Sequence, residues 1–192
     1  MKRLFDFIIS LVGVIVLSPV LILAALLIKI TSGDPIFYKQ DRVGRDGKIF
    51  KLLKFRTMVA DADQIGTSVT TKNDPRITPV GKFLRRFKLD EIPQLINVLI
   101  GDMSFVGPRP DVPGFADKLK GADRIILNVR PGITGPATLK YRNEEELLAK
   151  QKDPDKYNAE VIYPDKVLLN REYVENYSFW KDMGYIFKTI FG

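Results

Sequence analysis

The stretch FIISLVGVIVLSPVLILAALLI, between Asp6 and Lys29, holds 22 residues without a charge. As a straight helix at ~1.5 Å per residue it covers roughly 33 Å, about one hydrocarbon core. A spanning helix is the first expectation. A cleavable signal fits less well, because the apolar region is long and no small-x-small site precedes a separate mature domain. Ser18 and Pro19 sit at its centre. Pro19 has no N–H for the Ile15 carbonyl and its ring clashes with that carbonyl, so the helix should kink or break there. The Ser18 hydroxyl can bond back to a freed carbonyl and deepen the bend. Two half-helices of about a dozen residues reach only ~17 Å each, enough to enter one leaflet and return. Lys2 and Arg3 precede the run and Lys29 follows it, which favours the cytoplasmic side for both ends. A kinked span and a re-entrant hairpin both fit these residues.

The rest of the 192-residue chain suffices for one compact domain. Lys and Arg outnumber Asp and Glu by 30 to 23, a net charge of +7. That balance favours anionic partners: nucleic acid, acidic head groups or phosphorylated substrates. Cysteine and histidine are both absent. Thiol nucleophiles, disulfides, Cys/His zinc sites and histidine acid–base chemistry are thereby excluded. Catalysis, if any, rests on Asp, Glu, Lys, Arg, Ser, Thr, Tyr or a bound metal.

Thr31 to Pro35 (TSGDP) reads as a turn, and IFYKQDRV and KIFKLLKF read as a hairpin around Gly44-Arg45-Asp46-Gly47. Met58 to Asn73 is polar and reads as loop with some helix. Thr78 and Pro79 suit a helix N-cap and first turn. The helix they open mixes Lys82, Arg85 and Arg86 with Phe83, Leu84 and Phe87, a composition suited to a membrane surface. Asp90 reads as the N-cap of a second helix, with Glu91 in its first turn and Ile92, Leu95, Ile96 and Leu99 on one face. Gly101 ends it. Met103 to Val106 reads as a short extended segment, Arg130 to Gly135 as a turn-rich loop, and Asn143 to Lys152 as a charged helix. After Ser178, Phe179, Trp180, Met183, Ile186, Phe187, Ile190 and Phe191 recur at helical spacing. That amphipathic helix fits the core or the bilayer interface equally well.

Two adjacent acids at a helix start are most simply capping groups. Here Arg85, Arg86 and Lys88 crowd the pair, a helix start attracts anions, and Arg109 is held between two prolines. Together these make a phosphate site. One carboxylate can then act as a nucleophile, and the other can hold Mg²⁺, a hard ion that takes phosphates as co-ligands.

The string NDPRITPVGKFLRRFKLDEIPQLINVLIGDMSFVGPRP, Asn73 to Pro110, resembles the signature block of the bacterial sugar transferases, the monotopic phosphoglycosyl transferases. KRLFDFIISLVGVIVLSPVLILAALLIKI resembles their N-terminal segment, FYKQDRVGRDGKIFKLLKFRTM the hairpin that follows, and VRPGITG a further motif. The likeness covers nearly the whole chain. It implies transfer of a sugar 1-phosphate from a UDP-sugar to polyprenyl (undecaprenyl) phosphate, with release of UMP, by ping-pong chemistry through a phosphosugar-aspartate. On the resemblance Asp90 is the nucleophile and Glu91 its partner at Mg²⁺. Lys54, Arg85 and Arg109 match basic positions that serve substrate phosphates or site structure. Ser18 and Pro19 match the break that makes the anchor re-entrant, with the globular part on the cytoplasmic face of the bacterial inner membrane. The chain departs from the family pattern before Tyr173-Val174, where many members carry an Asp; here Asn170 stands there, with Asp165 upstream.

The expected architecture is α+β, predominantly α. Residues 1–30 form a re-entrant helix–break–helix anchor, and residues 31–192 a cytoplasmic-face catalytic domain with a small β-hairpin and interfacial amphipathic helices, the minimal form of the family. The partners are a UDP-sugar, polyprenyl phosphate and the bilayer, with no nucleic acid. The competing expectation is a membrane-anchored basic module that binds anionic lipid or nucleic acid without catalysis.

Overall fold

A computed structural model describes residues 1–65 and 74–192. The chain opens with α1 (Lys2–Ser32), a helix of 31 residues with Pro19 inside it. Among the described residues it is the one helix long and apolar enough to cross a membrane. The helical run continues through Ser18 and Pro19, the positions of the expected break. Pro19 cannot donate to Ile15, and the Ser18 hydroxyl donates to that carbonyl instead, at 2.7 Å. Helical continuity of this kind is compatible with a bent axis.

Both ends of α1 pack on the same body. Near its start, Arg3 donates to the carbonyls of Val98 (2.5 Å) and Leu99 (2.7 Å). Asp6 accepts from the Phe105 N–H at 3.2 Å. Near its end, Ala24 and Ile28 join Phe55 and Leu84 in a buried cluster. Between them the surface is exposed and apolar: Ile15, Val16, Ile22 and Leu23 are each about 60% exposed. Arg56 closes the helix, donating to the carbonyls of Ser32, Gly33 and Asp34. A buried guanidinium there satisfies carbonyls that the helix leaves unpaired.

The hairpin is present as expected. Strands β1 (Phe37–Val43) and β2 (Ile49–Phe55) pair antiparallel, from Phe37 opposite Phe55 to Val43 opposite Ile49. The turn between them bends through Asp46 and Gly47, both at positive φ. After α2 (Ala62–Ile65), the remainder of the Met58–Asn73 stretch, residues 66–73, lies outside the described residues. Helix α3 (Pro79–Arg86) begins as its sequence dictates: the Thr78 hydroxyl accepts from the Gly81 N–H at 2.9 Å, and Pro79 occupies the first turn. Gly81 lets α3 sit directly on the chain at Thr57, whose carbonyl would lie 2.0 Å from an added Cβ.

Helix α4 (Gln94–Ile100) leads into β3 (Ser104–Val106), where an extended segment was expected. Its partner is a correction. Arg130 to Gly135, read as loop, contains β4 (Gly132–Thr134), which pairs parallel to β3. The Gly132 N–H donates to Pro108 and the Gly107 N–H to Thr134. A Cβ on Gly132 would lie 2.1 Å from the Gly107 nitrogen. Only glycine allows this approach, so VGPRP and RPGITG are two halves of one seat for the Arg109 turn.

The remaining helices are α5 (Pro136–Lys140), α6 (Glu144–Leu148), α7 (Pro154–Tyr157), α8 (Tyr163–Glu175) and α9 (Phe179–Phe191). The charged helix expected over Asn143–Lys152 is thus the shorter α6. Helix α9 divides its apolar face. Phe179 meets Phe5 edge-on at 5.6 Å, whereas Trp180, Phe187, Ile190 and Phe191 are 63–79% exposed. A buried clasp ties the chain ends together: the Lys2 ammonium pairs with Asp182, donates to the Val106 carbonyl at 2.8 Å and meets the Tyr173 hydroxyl at 3.1 Å.

Candidate active site

Strand β2 supplies the first cation. Alternation places Leu52 and Lys54 on one face. Leu52 packs on Val98 of α4 and on Met103, so Lys54 is directed toward the chain that enters α4. Its ammonium donates to Glu91 Oε1 at 2.9 Å. Arg109, on the turn seated by Gly107 and Gly132, reaches the same oxygen at 3.6 Å. The sequence separates these cations from Glu91 by 37 and 18 positions, and the fold brings them together.

Asp90 differs from expectation. It caps no helix. Lys88 adopts the left-handed conformation (φ 56), Leu89–Glu91 form a tight 3-10 turn, and Pro93 delays α4 to Gln94. Pro93 lacks an N–H and occupies the position before the helix, so the capping geometry passes Asp90 by. The expected helix-start anion site is thereby replaced by side-chain cations. Asp90 is 7% exposed, and its Oδ1 is buried without a hydrogen-bond partner among the described residues.

The two acids are consequently shifted in opposite directions. Burial opposes ionisation of Glu91, but Lys54, Arg109 and Lys88 overcome it and hold that carboxyl at about 2. Burial pushes Asp90 up from the ordinary carboxylate value, the charge of Glu91 adds to this, and Lys54, Arg85 and Lys88 partly offset both. Arg85 therefore acts on Asp90 through space. Its neighbour Arg86 is exposed, with its guanidinium 5.6 Å from the Phe87 ring centre. The structure separates two arginines that composition could not.

A divalent cation can be tested against these donors. Glu91 engages both cations through Oε1, and Asp90 presents a carboxylate oxygen without a partner. Two carboxylates suit Mg²⁺ that shares its coordination with substrate phosphates and water. Among the described residues no cluster of three acidic ligands forms a self-sufficient cage.

Asp165 joins a different arrangement. It accepts from Lys140 at 2.9 Å and Tyr141 at 2.7 Å, which lower its carboxyl below the ordinary value. Asn170 is buried, with Oδ1 unpaired among the described residues. None of the hydrogen bonds of Asp165 is with Asp90 or Glu91.

Two contributors escaped the sequence reading. Asn97, 1% exposed, accepts the Leu53 N–H at 3.0 Å and donates to the Lys51 carbonyl at 2.9 Å. Its amide fills the open edge of β2 as another strand would and fixes the register of Lys54. The signal was an amide inside the apolar run LINVLI. Arg42 donates to the Pro110 carbonyl at 2.9 Å, and the Val43 N–H donates to Asp111 at 2.9 Å. Strand β1 thus holds the Arg109 turn while β2 holds Glu91.

Comparison with known proteins bears on this geometry. The bacterial sugar transferase family matches residues 1–192. The exopolysaccharide production protein ExoY of Sinorhizobium fredii is 36% identical over 98% of this chain and 83% of its own length. The UDP-glucose:undecaprenyl-phosphate glucose-1-phosphate transferase of Escherichia coli is 38% identical over 100% of this chain and 39% of its own. The undecaprenyl-phosphate galactose phosphotransferase of Salmonella typhimurium is 37% identical over 98% of this chain and 39% of its own. The chain with this paired and unpaired carboxylate therefore belongs to the bacterial sugar transferase family and is a phosphoglycosyl transferase.

Proposed function

We propose that this protein transfers a sugar 1-phosphate from a UDP-sugar to undecaprenyl phosphate and releases UMP, through a phosphosugar intermediate on Asp90. The carrying observation is the asymmetry of the acids: Glu91 is held by two cations, and Asp90 is desolvated without a partner. A nucleophile without an ion pair has none to break on attack, and an unhydrated oxygen sheds little water.

In the first half-reaction an Asp90 oxygen attacks the phosphorus that carries the sugar. The bond from that phosphorus to the bridging oxygen breaks, and the electron pair leaves with UMP. In the second, an undecaprenyl phosphate oxygen attacks the same phosphorus. The acyl phosphate bond breaks and Asp90 regains its carboxylate. Arg85, Arg109 and Lys88 offset the charge of an anion approaching an anion. Lys54 keeps Glu91 ionised and in place. Glu91, with Asp90 beside it, would hold Mg²⁺, which when bound supplies charge neutralisation at the diphosphate.

The lipid acceptor requires this chemistry at the head-group level. Both ends of α1 rest on one globular body while its centre is exposed and apolar, which supports a re-entrant anchor with that body on the cytoplasmic side. The exposed aromatics of α9, with Phe83 of α3 and Phe87 directly after it, suit the same interface.

The test is incubation of the purified protein with UDP-glucose, UDP-galactose and UDP-N-acetyl sugars, Mg²⁺ and undecaprenyl phosphate, with UMP release as readout. Without the lipid, mass spectrometry should find one phosphosugar on Asp90. An adduct on another residue sinks the assignment. Labelling of the N-terminus and of the β1–β2 hairpin from each side of a vesicle should report the same side for both.

A further inference from the structure

The turn that carries Arg109 is pinned on both flanks. On one, the Gly107 N–H donates to the Thr134 carbonyl at 2.9 Å and the Gly132 N–H to the Pro108 carbonyl at 2.8 Å. On the other, the Val43 N–H donates to the Asp111 carbonyl and Arg42 Nη1 to the Pro110 carbonyl, each at 2.9 Å. Pro108 and Pro110 have no N–H, so the residues beside Arg109 are held through their carbonyls. Of these bonds, only that of Arg42 comes from a side chain.

Arg42 is itself braced. Its Nε and Nη2 donate to Gln40 Oε1 at 3.2 and 2.6 Å. In the hairpin register Gln40 lies opposite Leu52, Arg42 opposite Phe50 and Tyr38 opposite Lys54. Opposed residues share a face, so Gln40 and Arg42 project on the side from which Lys54 reaches Glu91. Phe37, Lys39 and Asp41, on the other side of β1, are exposed. One hairpin face therefore serves both cations at Glu91: Lys54 directly, and Arg109 through Gln40, Arg42 and Pro110.

These two cations are held differently. The Lys54 side chain is 20% exposed and 2.9 Å from Glu91 Oε1, whereas that of Arg109 is 51% exposed and 3.6 Å away. Lys54 is committed to the carboxylate. Arg109 keeps donors open to an incoming anion while its backbone is fixed. A donor to Pro110 need carry no charge, yet here it is a guanidinium bonded to two neutral oxygens. Burial lowers the Arg42 value and the charge of Arg109 lowers it further, with Asp111, Tyr38 and Glu91 opposing. The repulsion between the arginines is mutual, so Arg42 disfavours conformers of Arg109 that turn back toward β1. Its planar fork also reaches Gln40 and Pro110 at once, which a lysine could not do.

We propose that Arg42 is a positioning residue for Arg109, and that the Gln40–Arg42–Pro110 brace directs that arginine toward the acid pair to receive the diphosphate of the sugar nucleotide. This rests on the transfer reaction given above.

The experiment measures kcat/KM for UMP release, with inhibition by UDP and by uridine, in Arg42→Met, Gln40→Leu, Arg109→Met and the two double variants that contain Arg109→Met. Arg42→Met should lower kcat/KM about 10-fold or more. Gln40→Leu leaves Arg42 in place without its acceptor and should lower it about threefold, which keeps the proposal testable if Arg42→Met does not fold. In the Arg109→Met background neither change should add more than about twofold, since the group being positioned is gone. UDP inhibition should weaken in both single variants while uridine inhibition holds, because only UDP carries the phosphates. Losses that multiply with Arg109→Met, equal weakening of UDP and uridine, or an unchanged kcat/KM in folded Arg42→Met or in Gln40→Leu overturns the positioning role. Each of those results comes with an active wild type. A wild type that releases no UMP overturns the parent reaction, and the brace with it, so the two failures are distinguishable.

Discussion

Asp182 and Asp90 are both buried aspartates, and their surroundings are opposite. Asp182, 1% exposed, pairs with the Lys2 ammonium and accepts from the Tyr173 hydroxyl at 2.8 Å. Asp90, 7% exposed, has an oxygen with no partner among the described residues and cations that act only from a distance. A buried polar network that is fully satisfied makes structure rigid. A buried acid left unsatisfied costs stability and retains its reactivity. The first aspartate joins the ends of the chain. The second keeps an oxygen free of partners, the feature on which its proposed role as nucleophile rests.

The largest expected effect separates these roles by activity. Asp90→Asn should lower the rate of phosphosugar adduct formation by about 10⁴-fold or more, because the amide is no nucleophile. Asp182→Asn should leave kcat of the folded enzyme within about threefold. Loss of turnover with Asp182→Asn equal to that with Asp90→Asn, measured by UMP release, would erase the distinction.

Stability should sort them the other way. Asp182→Asn leaves the Lys2 ammonium uncompensated beside Val106 and Tyr173, at a cost of about 3 kcal/mol. Unfolding in detergent micelles reads this directly. A cost below about 0.5 kcal/mol would mean that the clasp contributes no more than a surface pair.

Glu91 and Asp90 sharpen the comparison because they are neighbours with opposite shifts. The folded value of Glu91 lies near 2, below its ordinary 4.5. Its pairing stabilises the fold above the unfolded value, and this is lost as pH falls toward 2. Glu91→Gln should therefore destabilise the protein at pH 7, by about 2–3 kcal/mol. The folded value of Asp90 is raised. Its ionisation costs stability above that raised value, and the cost vanishes below the unfolded value, where it is neutral in both states. Asp90→Asn should thus stabilise the protein at pH 7 and have no effect near pH 3. Unfolding with chelator present, at both pH values, checks the two signs. A shared sign for both substitutions at pH 7 would contradict the electrostatic asymmetry.

Much of this division was legible from local pattern. The α1 run, the β1–β2 hairpin, the Thr78 cap and the cationic setting of the acid pair all follow from residues close in sequence. The motifs that carry the family resemblance include Lys54, Arg85, Asp90, Glu91 and Arg109. What was not legible depends on distance or on backbone geometry. Lys2 and Asp182 meet across 180 positions, and neither has a neighbour that hints at the other. The β4 strand hides in RPGITG because glycine lowers strand propensity, although close approach to Gly107 requires that glycine. Asp90 was read as a cap because an acid followed by a helical apolar pattern signals one. The left-handed turn at Lys88 and the Pro93 start override that signal. Sequence pattern places side chains on elements, and tertiary packing decides whether their polar atoms are satisfied.

The smallest expected effect tests whether pairing at Glu91 is itself positioned. Asn97 bonds both Leu53 and Lys51, the strand residues flanking the one that sets up Lys54. Asn97→Ser replaces the amide by a shorter hydroxyl and weakens both bonds while keeping a polar group at the site. If Asn97 acts by holding Lys54 against Glu91, this change should slow adduct formation about 10-fold in the wild type. In a Lys54→Met background it should add little, since the ammonium it positions is gone. A merely structural role predicts independent losses that multiply. The double-mutant cycle reads this by single-turnover kinetics, and restoration of the wild-type rate by Asn97→Gln is not expected, because the longer amide overshoots the strand edge. Multiplying losses would leave Asn97 as a packing residue and would place the orientation of Lys54 in the β1–β2 pairing alone.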